Sequence, residues 1–207
     1  MTPTVWSGSM LRGMTTTRQV PLRRDAQRNH DAILAAAKGL FAESSEVPMR
    51  EIARRAGVGQ ATLYRHFPDR ETVAVALAAE QLDGLERLAA SSAGHPDAFF
   101  ILLRGIVDTQ PRCHGGLHDI LHEGPNARSG LEQFNQRLVE LLRRPIQDAK
   151  AAGALRPDLT VDDVVLLMAM IHGALDAIAD PAGRATAASR ALTLTIDGLT
   201  TRQAPGA

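Results

Sequence analysis

Apolar positions in this chain recur at intervals of three and four residues almost throughout. Ile33, Leu34, Ala37, Leu40 and Phe41 make one such stripe, the pattern of an amphipathic helix with one face in a core. It predicts a first helix over Asp25–Glu43. Ile52 and Ala53 mark a short second helix that ends at Ala56, with Pro48 at or near its first turn, where a missing N–H costs nothing. Leu63 and Phe67, four apart, predict a third helix over roughly Gln60–His66. Asp69 is a candidate N-cap for a fourth, which carries Val73, Leu77, Leu82 and Leu85 as far as about Ala90. After a break at Ser91–Pro96, helices are expected from Asp97 to Gln110, from Cys113 to Glu123, from Ser129 to Gly153, from Asp158 or Thr160 to Asp180, and from Ala182 to Thr201. Pro111 should end one of these, and Pro145 should kink or break another. Sustained period-two alternation of β-branched residues is absent, so the fold class is all-α.

The stretch Ile52–Phe67, IARRAGVGQATLYRHF, organises the rest. Gly57 suits the left-handed position that closes a helix. Two short helices around a Gly-containing turn form a helix-turn-helix, whose second helix can enter the DNA major groove. An ordinary helical hairpin shares that spacing, so the residue types must decide. Gln60, Thr62, Tyr64, Arg65 and His66 fall on the arcs not needed to bury Leu63 and Phe67. Gln pairs bidentately with adenine and Arg with guanine, which makes Gln60 and Arg65 candidates for reading bases. Thr62 can serve bases or phosphates. Arg50, Arg54 and Arg70 are candidates for positioning on phosphates.

The runs IA…AGV and TLYRHF, followed by PDRETV, resemble the DNA-binding domain of the TetR family of transcriptional regulators. The resemblance spans Arg28 to about Leu82. It implies that Gln60, Ala61, Tyr64 and His66 approach DNA, with the Tyr and His on phosphate, and that a basic residue near Arg70 also touches phosphate. Two positions depart from the pattern. Ala61 stands where many relatives have Gly, a small change at a close approach. Gly59 stands where they have Ser, which removes a hydroxyl that could cap the recognition helix.

Composition adds less. The chain has 207 residues, 44% of them hydrophobic and 3% aromatic, enough for a substantial helical core. Net charge is zero, but residues 1–70 carry 11 Lys and Arg against 6 Asp and Glu, so the excess positive charge sits in the helix-turn-helix half. The single cysteine, Cys113, excludes an intrachain disulfide and fits a cytoplasmic location. No apolar run reaches the roughly 20 residues of a membrane span, and no signal-peptide core is visible. Met10 and Met14 offer alternative starts. The expected organisation is a flexible basic tail over residues 1–24, a DNA-binding domain over 25–80, and an effector-binding and dimerisation domain over 81–203.

One recognition helix reads only a few base pairs, so dimerisation is expected. Met168, Ile171, Leu175, Ile178, Leu192, Ile196 and Leu199 give the last two helices apolar faces that could form a four-helix bundle between two copies. The resemblance also implies a pocket for a small-molecule effector, with Phe99, Leu103, Ile106, His118, Phe134, Leu138, Met168 and His172 as candidate liners. His114, His118 and His122 recur every four residues, with Cys113 and Glu123 at the flanks. They are expected to line the pocket or face solvent, and no metal or other cofactor is assigned. A metal-responsive regulator is the alternative. A zinc hydrolase is the rival from the enzyme class, but no HExxH, P-loop or GxSxG motif occurs. The expected function is a homodimeric regulator, a repressor, that binds a palindromic operator and is released by an inducer.

Overall fold

The computed structural model describes residues 19–200, apart from 114, 115 and 179. Its helices are α1 (Gln19–Phe41), α2 (Met49–Ala56), α3 (Gln60–His66), α4 (Arg70–Ser91), α5 (Ala98–Cys113), α6 (Gly116–Glu123), α7 (Arg128–Ala151), α8 (Val161–Asp176) and α9 (Pro181–Leu199). The fold is all-α, as the periodicity requires. Among the described residues no helix is long and apolar enough to cross a membrane.

The helix ends follow from local chemistry. The Asp69 carboxylate accepts hydrogen bonds from the Thr72 N–H (2.7 Å) and hydroxyl (2.6 Å) at the start of α4. Thr160 and Asp163 form a reciprocal capping box on α8. Asp180 caps α9 just before Pro181. Three expectations need correction. Helix α1 begins by Gln19, inside the stretch read as a flexible tail, and residues 1–18 lie outside the described residues. Pro111 does not end α5, which runs on to Cys113, and Pro145 does not break α7. In α7 Leu142, Ile146 and Ala149 are buried around that proline. Their tertiary packing outweighs one missing backbone hydrogen bond.

Among the described residues two hydrophobic cores form. The first joins Ile33, Ala37 and Phe41 of α1, Ile52 of α2, Leu63 of α3 and Val73 and Leu77 of α4. The second gathers Leu82 and Leu85 of α4 with α5, α7, α8 and α9. Helix α4 contributes to both, and the Arg137 guanidinium of α7 reaches its Asp83 (2.7 Å) and Glu86 (2.8 Å) at the surface. The partition departs from the sequence reading at α6. Its Leu117 and Ile120 are buried in the first core, although Leu117 lies 50 residues beyond Phe67, the end of the helix-turn-helix. Gly116 makes that approach possible: a Cβ there would overlap the Ser44–Ser45 backbone.

Candidate nucleic-acid interface

Helix α2 closes on Gly57 at φ 68° and ψ 27°, a left-handed conformation that favours glycine. The Val58 N–H then donates to the Ala53 carbonyl (3.0 Å), which turns the chain sharply into α3. Gly59 occupies the N-cap of α3 with no side-chain cap. Leu63 is the residue of α3 buried outright, and Phe67 follows it into the same core.

This anchoring leaves Gln60, Ala61, Tyr64 and Arg65 exposed on one side of α3, with Tyr64 51% exposed. Thr62 is half-buried on the flank. The exposed residues follow the i, i+1, i+4, i+5 pattern of a single helical face, so the two candidate base readers, Gln60 and Arg65, lie together with the phenol of Tyr64. Arg50 is exposed at the start of α2. Arg70 is exposed and donates to the Ser45 carbonyl (3.0 Å), which holds its guanidinium beside the loop before α2. Arg54 differs: it makes a two-pronged ion pair with Glu51 (2.6 and 2.8 Å), so its charge is already matched.

His66 does not sit as expected. Its ring is turned toward His30 of α1 (centroids 6.1 Å apart) and Phe67 (6.3 Å), and its Nε2 is buried. His30 in turn stacks on Phe67 at 5.0 Å. Position 66 closes the seven-residue helix on the flank next to Leu63, so its side chain follows the core instead of the exposed arc. Burial, reinforced by the Arg65 and His30 charges, lowers its pKa from the ordinary value and favours the neutral ring. A neutral, inward imidazole is a poor phosphate ligand.

Residues outside the motif hold the unit in place. The Asn126 side-chain amide, in the α6–α7 loop, donates to Asp69 (3.2 Å). Burial works to raise the Asp69 pKa, but hydrogen bonds from Thr72 and Asn126 outweigh it and hold the carboxyl below the usual range. Asn126 and His30 carried no recognisable signal in the sequence, because both act through contacts far along the chain.

The apolar faces of α8 and α9 divide differently from the expectation. Met168, Ile171, Leu175, Leu192 and Leu199 are buried in their own protomer, and Ile178 and Ile196 pack partly against the same core. The large apolar side chains left exposed are Leu166 (59%), Met170 (61%) and Leu194 (55%). Ala169, Gly173 and Ala174 are exposed along the same side of α8, as Gly198 is on α9. The clue was an apolar residue two positions from a core residue, on the other side of the helix, beside small ones. The candidate pocket liners also fall in the core. Phe99, Leu103, Ile106, Leu138 and Met168 are buried against one another, and Phe134 packs on them. The described grooves lie elsewhere; among them are one of about 460 Å³ beside Leu166, Leu167 and Leu194, another of about 460 Å³ on the outer side of α5 by Phe100 and Arg104, and one of about 500 Å³ between α1 and α4 lined by His30, Asp31 and Glu80. His118 and His172 do come together, with Nδ1 and Nε2 2.5 Å apart. His114 lies outside the described residues.

A basic, motif-bearing unit presents a polar recognition helix, and a second helical core supports it. This is the organisation of a helix-turn-helix transcriptional regulator. Residues 33–77 match the family described as bacterial regulatory proteins, tetR family, and residues 95–201 match the C-terminal domain of SbtR-like transcriptional regulators. The chain belongs to the TetR family of DNA-binding transcriptional regulators and is not an enzyme. An HTH-type transcriptional regulator of Staphylococcus aureus is 36% identical over 64 residues, a match covering 30% of this chain and 35% of that protein. A TetR regulator from Mycobacterium vanbaalenii is 31% identical, with 87% of this chain and all of that one covered at a TM-score of 0.64. A TetR regulator from Streptomyces coelicolor is 29% identical, with 84% and 99% covered at a TM-score of 0.65.

Proposed function

We propose that the protein is a homodimeric repressor that binds a palindromic operator and is released by a small-molecule effector. The observation that carries the reading is the exposed arc of Gln60, Ala61, Tyr64 and Arg65 opposite buried Leu63. Those side chains have no folding task, and their chemistry suits a major groove. In this reading Gln60 and Arg65 contact base edges, and Ala61 permits close approach to the backbone. Thr62 and Tyr64 contact phosphate or sugar, while Arg50 and Arg70 set the register.

The second copy docks on Leu166, Ala169, Met170 and Gly173 of α8 and on Leu194 and Gly198 of α9. Exposed apolar side chains beside small residues suit close helix packing and a self-complementary two-fold contact. The effector acts in the α5–α8 body, near His118 and His172, and its entry requires the core packing around Phe134 to open. Helix α6 then carries the response, since Leu117 and Ile120 pack in the core that supports α3. The effector shifts the equilibrium only through a difference in affinity for the DNA-competent and released arrangements.

Selection of bound sequences from a random DNA pool tests this reading. The expected product is an inverted repeat whose half-sites are separated by about one or two helical turns. Recovery of a single unrepeated half-site, with light scattering at monomer mass, would refute it.

A further inference from the structure

Helix α6 has two faces with different neighbours. Leu117 and Ile120 enter the core beneath the helix-turn-helix. His118 and His122, four residues apart, share another side of the helix. That side meets α8, where His172 completes a group of three imidazoles. The ring centroids of His118 lie 4.2 Å from His122 and 4.1 Å from His172, and those of His122 and His172 are 6.4 Å apart. His118 and His172 are half-buried and His122 is exposed.

Three imidazoles are an unusual choice for packing two helices together. One pair of nitrogens converges: His118 Nδ1 and His172 Nε2 share a hydrogen bond of 2.5 Å, one neutral ring donating and the other accepting, shorter than the usual range of about 2.7–3.2 Å for a hydrogen bond from nitrogen. Protonating both rings would set like charges against each other. An ion between them replaces that hydrogen bond, because neutral imidazole nitrogen is a good ligand for borderline metals and a poor one for magnesium or calcium.

We propose that His118, His122 and His172 bind a divalent transition-metal ion of the zinc class and so clasp α6 to α8. A His pair at i, i+4 with a third His from a crossing helix is a three-nitrogen set that leaves a fourth position for water or an effector. Metal–nitrogen bonds of about 2.0–2.1 Å place two ligand atoms about 3.3 Å apart around a tetrahedral ion. The 2.5 Å contact must therefore open by about 0.8 Å. As the rings stand, no group of three His, Cys, Asp or Glu side chains among the described residues is placed to hold a metal ion, so the site forms only as the rings move. Exposed His122 must swing inward as the ion binds, a rotamer change that solvent leaves room for. The clasp fixes α6, and through Leu117 and Ile120 it biases the seat of α3. That regulatory consequence rests on the repressor reading above; the metal site itself does not.

The test uses the full chain, stripped with chelator, dialysed and titrated with zinc alone in the absence of DNA. The expected result is about one zinc per chain, with a melting temperature that rises with zinc and falls again with chelator. Cobalt in place of zinc should give the visible absorption of a tetrahedral nitrogen site. His118→Ala and His172→Ala should each weaken zinc binding by more than about 100-fold, beyond what losing an outer-shell partner costs. His95→Ala, at an exposed histidine outside the group, should bind as wild type. His172→Cys keeps a ligand in place and should restore cobalt binding with an added sulfur-to-metal band, which separates loss of a ligand from loss of fold. No stoichiometric zinc, or undiminished binding in His172→Ala with native helix content, would overturn the site. Zinc should then shift operator affinity by about 5- to 150-fold in wild type and not in His172→Ala. Zinc bound at this site with unchanged operator affinity would overturn the regulatory link alone, while failure to bind any operator would count against the repressor reading and leave the metal site standing.

Discussion

Helix α3 and the pair α8 and α9 both present an outward face, but by opposite means. Helix α3 has seven residues, buries Leu63 and shows solvent a polar arc. The pair α8 and α9 is long and apolar on more than one side, burying Met168, Ile171, Leu175 and Leu192 while leaving Leu166, Met170 and Leu194 exposed. On α3 the buried and exposed positions use different residue types, so the exposed arc is what remains after the core is assigned. On α8 and α9 the core and the outward face use the same type, leucine and methionine. The side of the helix, not the chemistry, then separates them.

Met168 and Met170 give the sharpest way to break this comparison, being two residues apart on one helix and 5% and 61% exposed. Met168→Glu should destabilise the fold by at least about 3 kcal/mol, since it strands a charge in the core. Met170→Glu should keep native helix content but yield monomers, and operator affinity should drop about 100-fold or more as the second half-site is lost. Circular dichroism with light scattering separates the two. A dimeric Met170→Glu variant would show that the outward face of α8 is not the contact.

Arg65→Ala probes the polar side. It should leave the melting temperature unchanged and weaken operator binding by about 1–3 kcal/mol, with relaxed preference at one base position. Equal loss at every position would move Arg65 from base reading to phosphate contact.

His66 sharpens the boundary between the two sides of α3. Its folded pKa lies below the ordinary value of 6.5 because burial disfavours the charged ring. Below that value the unfolded chain binds more protons than the folded one, so acidification favours unfolding. The stability tied to the neutral ring is full above 6.5 and is lost as pH falls through the window down to the folded value. His66→Phe should flatten the dependence of urea-unfolding stability on pH over that window and leave operator affinity near wild type. A large loss of affinity would return His66 to the DNA face.

The smallest expected effect is at Gly59, the uncapped N-cap of α3, where a Cβ meets nothing within 4 Å. Gly59→Ser should add a few tenths of a kcal/mol by accepting a hydrogen bond from the first turn. Thermal unfolding should show a rise of about 1 °C. No rise would mean that the hydroxyl prefers solvent to the helix end.

The amino-acid sequence by itself determined which segments are helical, most of their ends, and the exposed arc of α3. These depend on interactions within a few residues: a period of three to four, the carboxylate of Asp69, the free φ of Gly57, the hydroxyl of Thr160. Tertiary structure decided the remainder. It placed Leu117 and Ile120 of α6 in the core of the DNA-binding unit and kept α7 helical through Pro145. It turned His66 toward His30 and brought His172 to His118 across 54 residues. It also selected which apolar side of α8 and α9 stays outside. The reason is physical: burial is driven by apolar area without regard to the identity of the neighbour. A stripe of leucines therefore says that a helix packs, and only the assembled chain says against what.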